Sequence, residues 1–206
     1  MRILFIGNSY TTRHDLPRLI AELARPHVVE SEVIFAGGAS LRRHWNGGRA
    51  ASAIARGGWD YVVLQEQSTL PVKNRLRYHD NVRLFDAAIK MIHAKTMLYL
   101  TWARANALTT QDAIDSAVED IAREIGAGIV PVGVAWRAVT AKHPDIALYL
   151  PDGSHPTAAG AYLSACVFVG VLANVDPRIL GAPSELDLDP LSAEALRSAA
   201  ARAISR

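Results

Sequence analysis

The sequence predicts a doubly wound α/β fold, a five-stranded parallel sheet covered by helices on both faces. Three observations lead there. Short, wholly apolar runs alternate with stretches of helical period. Most of these runs end at glycine or at a polar turn, as strands buried on both faces do. The chain has 206 residues, half of them apolar and a fifth charged, which suits one globular domain over 1–206.

Taken in order, Ile3 to Ile6 reads as the first strand and stops at Gly7. Leu16, Leu19, Ile20 and Leu23 then repeat at helical spacing before Pro26. A second strand is expected near Val28 to Phe35, ending at Gly37-Gly38, and a helix within Leu41 to Arg56, its start obscured by Gly47-Gly48. Tyr61 to Leu64 is the third strand, Asn74 to His93 a long helix, and Met97 to Leu100 the fourth strand. A helix capped by Thr109 or Thr110 runs on to Ile125. Ile129 to Val132 is a short fifth strand whose Pro131 suits a sheet edge. Helices from Val134 to Lys142, Thr157 to Leu172 and Ser192 to Ser205 complete the chain.

Ligands of such sheets bind beyond the carboxyl ends of the strands, where the strand order reverses. In the flavodoxin-like order 2-1-3-4-5, that place joins Gly7-Asn8-Ser9-Tyr10, Gly37-Gly38-Ala39-Ser40 and Gln65-Glu66-Gln67-Ser68. A hydroxyl at Ser9 can attack a carbonyl if a histidine takes its proton. The backbone amides of Ser9 and Gly38, with an amide side chain from Gln65 or Gln67, can surround the developing oxyanion. The same residues also fit a helix cap and a turn. Far along the chain, Asp152-Gly153-Ser154-His155 sets a carboxylate three residues before an imidazole. That spacing lets Asp152 hold Nδ1 and leave Nε2 as a base, and it also fits a solvated capping loop.

Together, Gly-Asn-Ser closing the first strand and Asp-Gly-Ser-His-Pro-Thr entering a late helix resemble the SGNH (GDSL-like) hydrolases, from Ile3 to about Leu172. The resemblance implies a three-layer αβα sandwich and ester hydrolysis by a Ser-His-Asp triad. It makes Ser9 the nucleophile, Gly38 an oxyanion donor, His155 the base and Asp152 its partner. The first block departs from the usual Gly-Asp-Ser-Leu. In the third block, register sets Gln67 where the family has asparagine, and strand alternation turns Gln65 to the same face. His44 and Trp102 are candidates for the pocket wall.

Other chemistries lack their motifs. There is no phosphate loop, no Gly-x-Gly-x-x-Gly, no Gly-x-Ser-x-Gly elbow and no His-Glu-x-x-His. Cys166 is the single cysteine and reads as a small buried hydrophobe. With 22 Lys+Arg against 20 Asp+Glu, the charge balance points to neither nucleic acid nor an anionic membrane. The expectation is a cofactor-free, metal-free cytoplasmic serine esterase acting on a small-molecule ester with a short acyl or acetyl group, esters of a sugar or similar alcohol among them. Acyl transfer by the same triad, and a non-catalytic anion-binding module, are the alternatives.

Overall fold

A computed structural model describes residues 1–205. Its elements in chain order begin with β1 (Arg2–Gly7), α1 (Ser9–Thr12), α2 (Leu16–Leu23), β2 (Glu30–Phe35), α3 (Leu41–Asn46) and α4 (Arg49–Ala55). They continue with β3 (Tyr61–Leu64), α5 (Leu70–Lys73), α6 (Arg75–Met91), β4 (Lys95–Tyr99), α7 (Gln111–Ile125) and β5 (Gly128–Val130). The chain closes with α8 (Val132–Lys142), α9 (Ala158–Leu172) and α10 (Pro190–Ile204). All strand pairs are parallel, in the order β2-β1-β3-β4-β5. This is the three-layer α/β sandwich that the alternation of apolar runs predicts.

The apolar runs are uninterrupted because each strand serves two cores. Along β1, Ile3 and Phe5 face the core built with α2, α9 and α10, while Leu4 and Ile6 face the one built with α4, α6 and α7. α9 is buried on nearly every side, and its Cys166 is fully enclosed, as expected of a small hydrophobe. Burial holds that thiol protonated, pushing its pKa up to about 12. Phe168 packs against both Phe5 and Tyr99, at ring-centroid separations of 5.8 and 4.9 Å. Burying such a ring contributes roughly 1.5–3 kcal/mol.

Register positions the site. Ile6 lies opposite both Ile34 and Leu64, so β1, β2 and β3 end at one level. The three turns that follow meet there. Several boundaries differ from the expected ones for local reasons. Gly47-Gly48 divide one expected helix into α3 and α4, with Gly48 at a φ of +75°. β5 stops at Val130 because Pro131 initiates α8. Neither Thr109 nor Thr110 caps α7 by its side chain, since the Thr110 hydroxyl donates to the Ala107 carbonyl instead. β3 ends at Leu64, so face alternation does not extend to Gln65 and Gln67. Among the described residues, no helix is long and apolar enough to cross a membrane, and no group of three His, Cys, Asp or Glu is arranged to hold a metal.

Candidate active site

Ser9 opens α1 directly after β1, and the turn between them is braced from three sides. The Asn8 side-chain carbonyl accepts from the Tyr10 amide at 3.2 Å, capping α1. Its side-chain NH2 donates to the Ala39 carbonyl at 3.1 Å, joining this turn to the Gly37-Gly38 loop. The Asn8 amide donates to Gln65 Oε1 at 2.8 Å, and the Thr11 hydroxyl donates to the same oxygen at 3.1 Å. Gly7 must be glycine here, because a Cβ would lie 2.4 Å from Thr11 Oγ1 and 2.7 Å from Gln65 Oε1. Beneath the turn, His44 Nε2–H donates to the Gly7 carbonyl at 2.8 Å. Burial lowers the pKa of His44, which keeps the ring neutral.

These contacts revise two expectations. His44 is buried and serves as a brace for β1 rather than lining a pocket. Gln65 is fully buried, and both ends of its amide are occupied, the nitrogen by the Glu66 carbonyl. Fully enclosed and committed at both ends to bracing this turn, it does not present its amide to an oxyanion. Gln67 differs. Its Oε1 accepts from the Thr69 amide and hydroxyl at 3.0 and 2.9 Å, which orients the side chain. Its NH2 group donates to no acceptor among the described residues.

Glu66 ties the second and third loops together. One carboxylate oxygen accepts from the Leu41 and Gln67 amides at 3.0 and 2.7 Å, and the other from Asn81 Nδ2 at 2.9 Å. Arg42 Nε in turn donates to Asn81 Oδ1 at 3.0 Å. Burial raises the Glu66 pKa against these bonds, as expected of a carboxylate taken out of water. The neighbouring Gly38 has a φ of +60°, a conformation glycine adopts without strain.

The 152–155 loop holds itself. Asp152 Oδ1 accepts from the amides of Ser154 and His155, each at 2.9 Å, while Oδ2 lies 2.6 Å from His155 Nδ1. The bond to His155 first, and the two amides next, lower the Asp152 pKa to about 2. An ionised carboxylate only accepts, so Nδ1 carries the proton and Nε2 is the acceptor. Nε2 lies 2.8 Å from Ser9 Oγ, across 146 positions of sequence. The structure thus brings Ser9, His155 and Asp152 into one hydrogen-bonded chain. Such a chain can move a hydroxyl proton to the imidazole while the carboxylate holds the ring.

An aromatic stack carries the two halves of the site. Tyr10 stacks on Trp102 at 4.6 Å between ring centroids, and Trp102 stacks on Trp136 at 3.7 Å. The Tyr10 hydroxyl bonds Ser154 Oγ at 2.7 Å, and Trp102 Nε1–H donates to the Ser154 carbonyl at 3.0 Å. Trp102 is thus a buried support under the His155 loop. Its edge lines an apolar cavity of about 350 Å³ with Leu108, Trp136 and Tyr149, which neither Ser9 nor His155 lines. The supporting roles of Tyr10 and Glu66 leave no trace in motif spacing, since their partners are distant in sequence.

No family model and no curated protein matches the chain. Solved structures do. A protein from Slackia heliotrinireducens assigned to the SGNH hydrolases is 32% identical over 84% of this chain and 98% of its own length, with a TM-score of 0.74. The chain belongs to the SGNH hydrolases. A DUF4886 family protein from Bacteroides uniformis shares the fold at 23% identity and a TM-score of 0.80, covering 100% of this chain and 95% of that one. Axe2, an acetylxylan esterase from Geobacillus stearothermophilus, does so at 18% identity and a TM-score of 0.63, over 82% and 92%. This SGNH chain carries asparagine at position 8 and glutamine at 67, and both amides are oriented by bonds within their own turns.

Proposed function

We propose that this protein is a serine esterase hydrolysing carboxylic esters with a short acyl or acetyl group. The observation that carries the reading is the hydrogen-bonded chain Ser9–His155–Asp152, with links of 2.8 and 2.6 Å. Ser9 Oγ attacks the ester carbonyl as its proton passes to His155 Nε2, and Asp152 stabilises the imidazolium. The negative charge developing on the carbonyl oxygen is met by the amides of Ser9 and Gly38 and by the free NH2 of Gln67. Collapse breaks the bond to the alcohol, which takes the proton from His155 and leaves an acyl-Ser9. Water, deprotonated by His155, then releases the acid and restores the hydroxyl. Glu66 supports this by fixing the Gln67 backbone against the amino end of α3. Esters of carbohydrates are among the candidate substrates, since acetylxylan esterases share the fold.

The test is labelling with a fluorophosphonate, followed by turnover of p-nitrophenyl esters of rising chain length and of acetylated sugars. The expected result is a covalent adduct on Ser9, absent from Ser9→Ala, and fastest turnover at the shortest acyl chains. An intact protein that neither labels nor turns over any ester contradicts the reading and leaves a binding module.

A further inference from the structure

After β4 the chain crosses the carboxyl end of the sheet between the Gln67 loop and the His155 loop. Arg104 lies in this crossing, with fixed backbone on both sides. The Ala103 amide donates to Gln111 Oε1 at 2.6 Å, and its carbonyl accepts from the Tyr149 hydroxyl at 2.8 Å. The Ala105 amide donates to the Gly153 carbonyl at 2.8 Å, two residues before His155. The Arg104 side chain reaches the other way, with Nη2 donating to Ser68 Oγ at 3.4 Å, one residue after Gln67. The exposed Arg104 therefore sits between the two loops that flank Ser9, its backbone neighbour bonded to one and its guanidinium to the other.

That cation lacks a counter-charge. Among the described residues no carboxylate pairs with Arg104, whereas Arg137 nearby is held by Asp112 and Asp115. Each flanking loop contains one carboxylate, and both are engaged: Asp152 by His155 and Glu66 by buried amides. A 3.4 Å contact with a neutral hydroxyl occupies little of a group with five donors.

We propose that Arg104 is a specificity-determining residue that binds a carboxylate carried by the ester substrate, so that the protein favours acidic esters over neutral ones. The inference rests on the ester-hydrolase reading above and adds to it the substrate class. A planar guanidinium matches a carboxylate with two parallel N–H···O bonds. The pinned backbone on either side limits the ordering needed when the anion arrives. An exposed cation at the mouth also steers anions toward Ser9, an effect that salt weakens.

The experiment compares kcat/KM within two matched pairs, for the unmodified protein and for Arg104→Gln. In one pair the charge is on the acyl side, p-nitrophenyl hemisuccinate against p-nitrophenyl butyrate. In the other it is on the alcohol side, 4-acetoxybenzoate against phenyl acetate. The expected result is a preference of about tenfold for the acidic ester in at least one pair, the scale of one charge-assisted contact. It should arise mainly in KM, shrink in high salt and fall to within about twofold in Arg104→Gln. Because the ratio is taken within one protein, a general loss of folded enzyme cancels. Turnover of neutral esters with no acidic preference, or a preference that survives Arg104→Gln, overturns the inference and leaves the esterase reading standing. No turnover of any ester by the unmodified protein overturns both.

Discussion

Ser9 and His155 meet at 2.8 Å, yet the chain holds them there by different means. Ser9 sits above a buried network whose members come from β1, from the loop after β3 and from α3: Gln65 on the Asn8 amide, Asn8 on Ala39, His44 on Gly7. His155 sits on a half-exposed loop that organises itself, with all three Asp152 bonds spanning two or three residues. The Ser154 contacts with Tyr10 and Trp102, and the Gly153 carbonyl accepting from the Ala105 amide, tie that loop to the sheet. The nucleophile's side is therefore a matter of packing and folding stability, and the base's side one of local electrostatics. Damage on the first side should register in stability as well as rate, and damage on the second chiefly in rate.

The most severe test removes the link itself. Ser9→Ala and His155→Ala should each lower kcat by at least about 10³-fold, and the double variant little further, because the two act in one proton transfer. Steady-state kinetics with an active-site titration checks this. Multiplied losses in the double variant would show that the two residues act separately.

Asp152→Asn and Gln65→Leu contrast the two sides directly. For Asp152→Asn the expected loss in kcat is about 10³–10⁴-fold, since an amide favours the wrong imidazole tautomer. Its urea midpoint should fall less than that of Gln65→Leu, because Asp152 is exposed and water screens its bonds. Gln65→Leu leaves the Asn8 amide and the Thr11 hydroxyl without their acceptor, which destabilises a buried site by about 1–3 kcal/mol. Denaturation curves for both variants decide whether the sides differ as described. Equal stability losses would erase the distinction.

Gln67→Ala tests the donor on the third loop. It should lower kcat about 10²–10³-fold with little change in KM, as loss of an oxyanion donor does. The side chain is partly exposed, so stability should hold.

The smallest expected effect concerns pH and separates the sides by sign. Burial lowers the His44 pKa, so the unfolded chain binds its proton more readily than the folded one. Stability should rise with pH from that lowered value up to about 6.5 and then level off. Asp152 works lower on the scale. Its pKa is depressed to about 2, so its contribution is complete above about 3.9 and fades as pH falls through about 2. Urea midpoints at half-unit pH steps should show the upper window flatten in His44→Gln and persist in Asp152→Asn.

Much of this was legible without coordinates, and the reason is locality. Apolar runs of four residues, such as Ile3 to Ile6, state by themselves that both faces of a strand are covered. Glycines and polar residues at strand ends mark the turns, and the switch-point rule then collects three of them at one site. Asp152 and His155 are close in sequence, so their pairing follows from spacing. The bond from His155 to Ser9 spans 146 positions, and it was reachable only through the resemblance of the first and last motifs to the SGNH hydrolases.

What the tertiary structure alone decided is the division of labour among similar side chains. Gln65 and Gln67 are equivalent by composition and by strand alternation, but β3 ends at Leu64 and the backbone turns. One amide is then spent on Asn8 and Thr11, and the other keeps a free donor. His44 and Trp102 resemble pocket residues in sequence; both are buried as supports, one under Gly7 and one under Ser154, and Trp102 also borders a cavity that Ser9 does not line. Glu66, flanked by two glutamines, gives no sign that its partners are Leu41 and Asn81. A side chain's role depends on which donors and acceptors surround it. Those neighbours come from distant segments, so the sequence names the groups and packing assigns their partners.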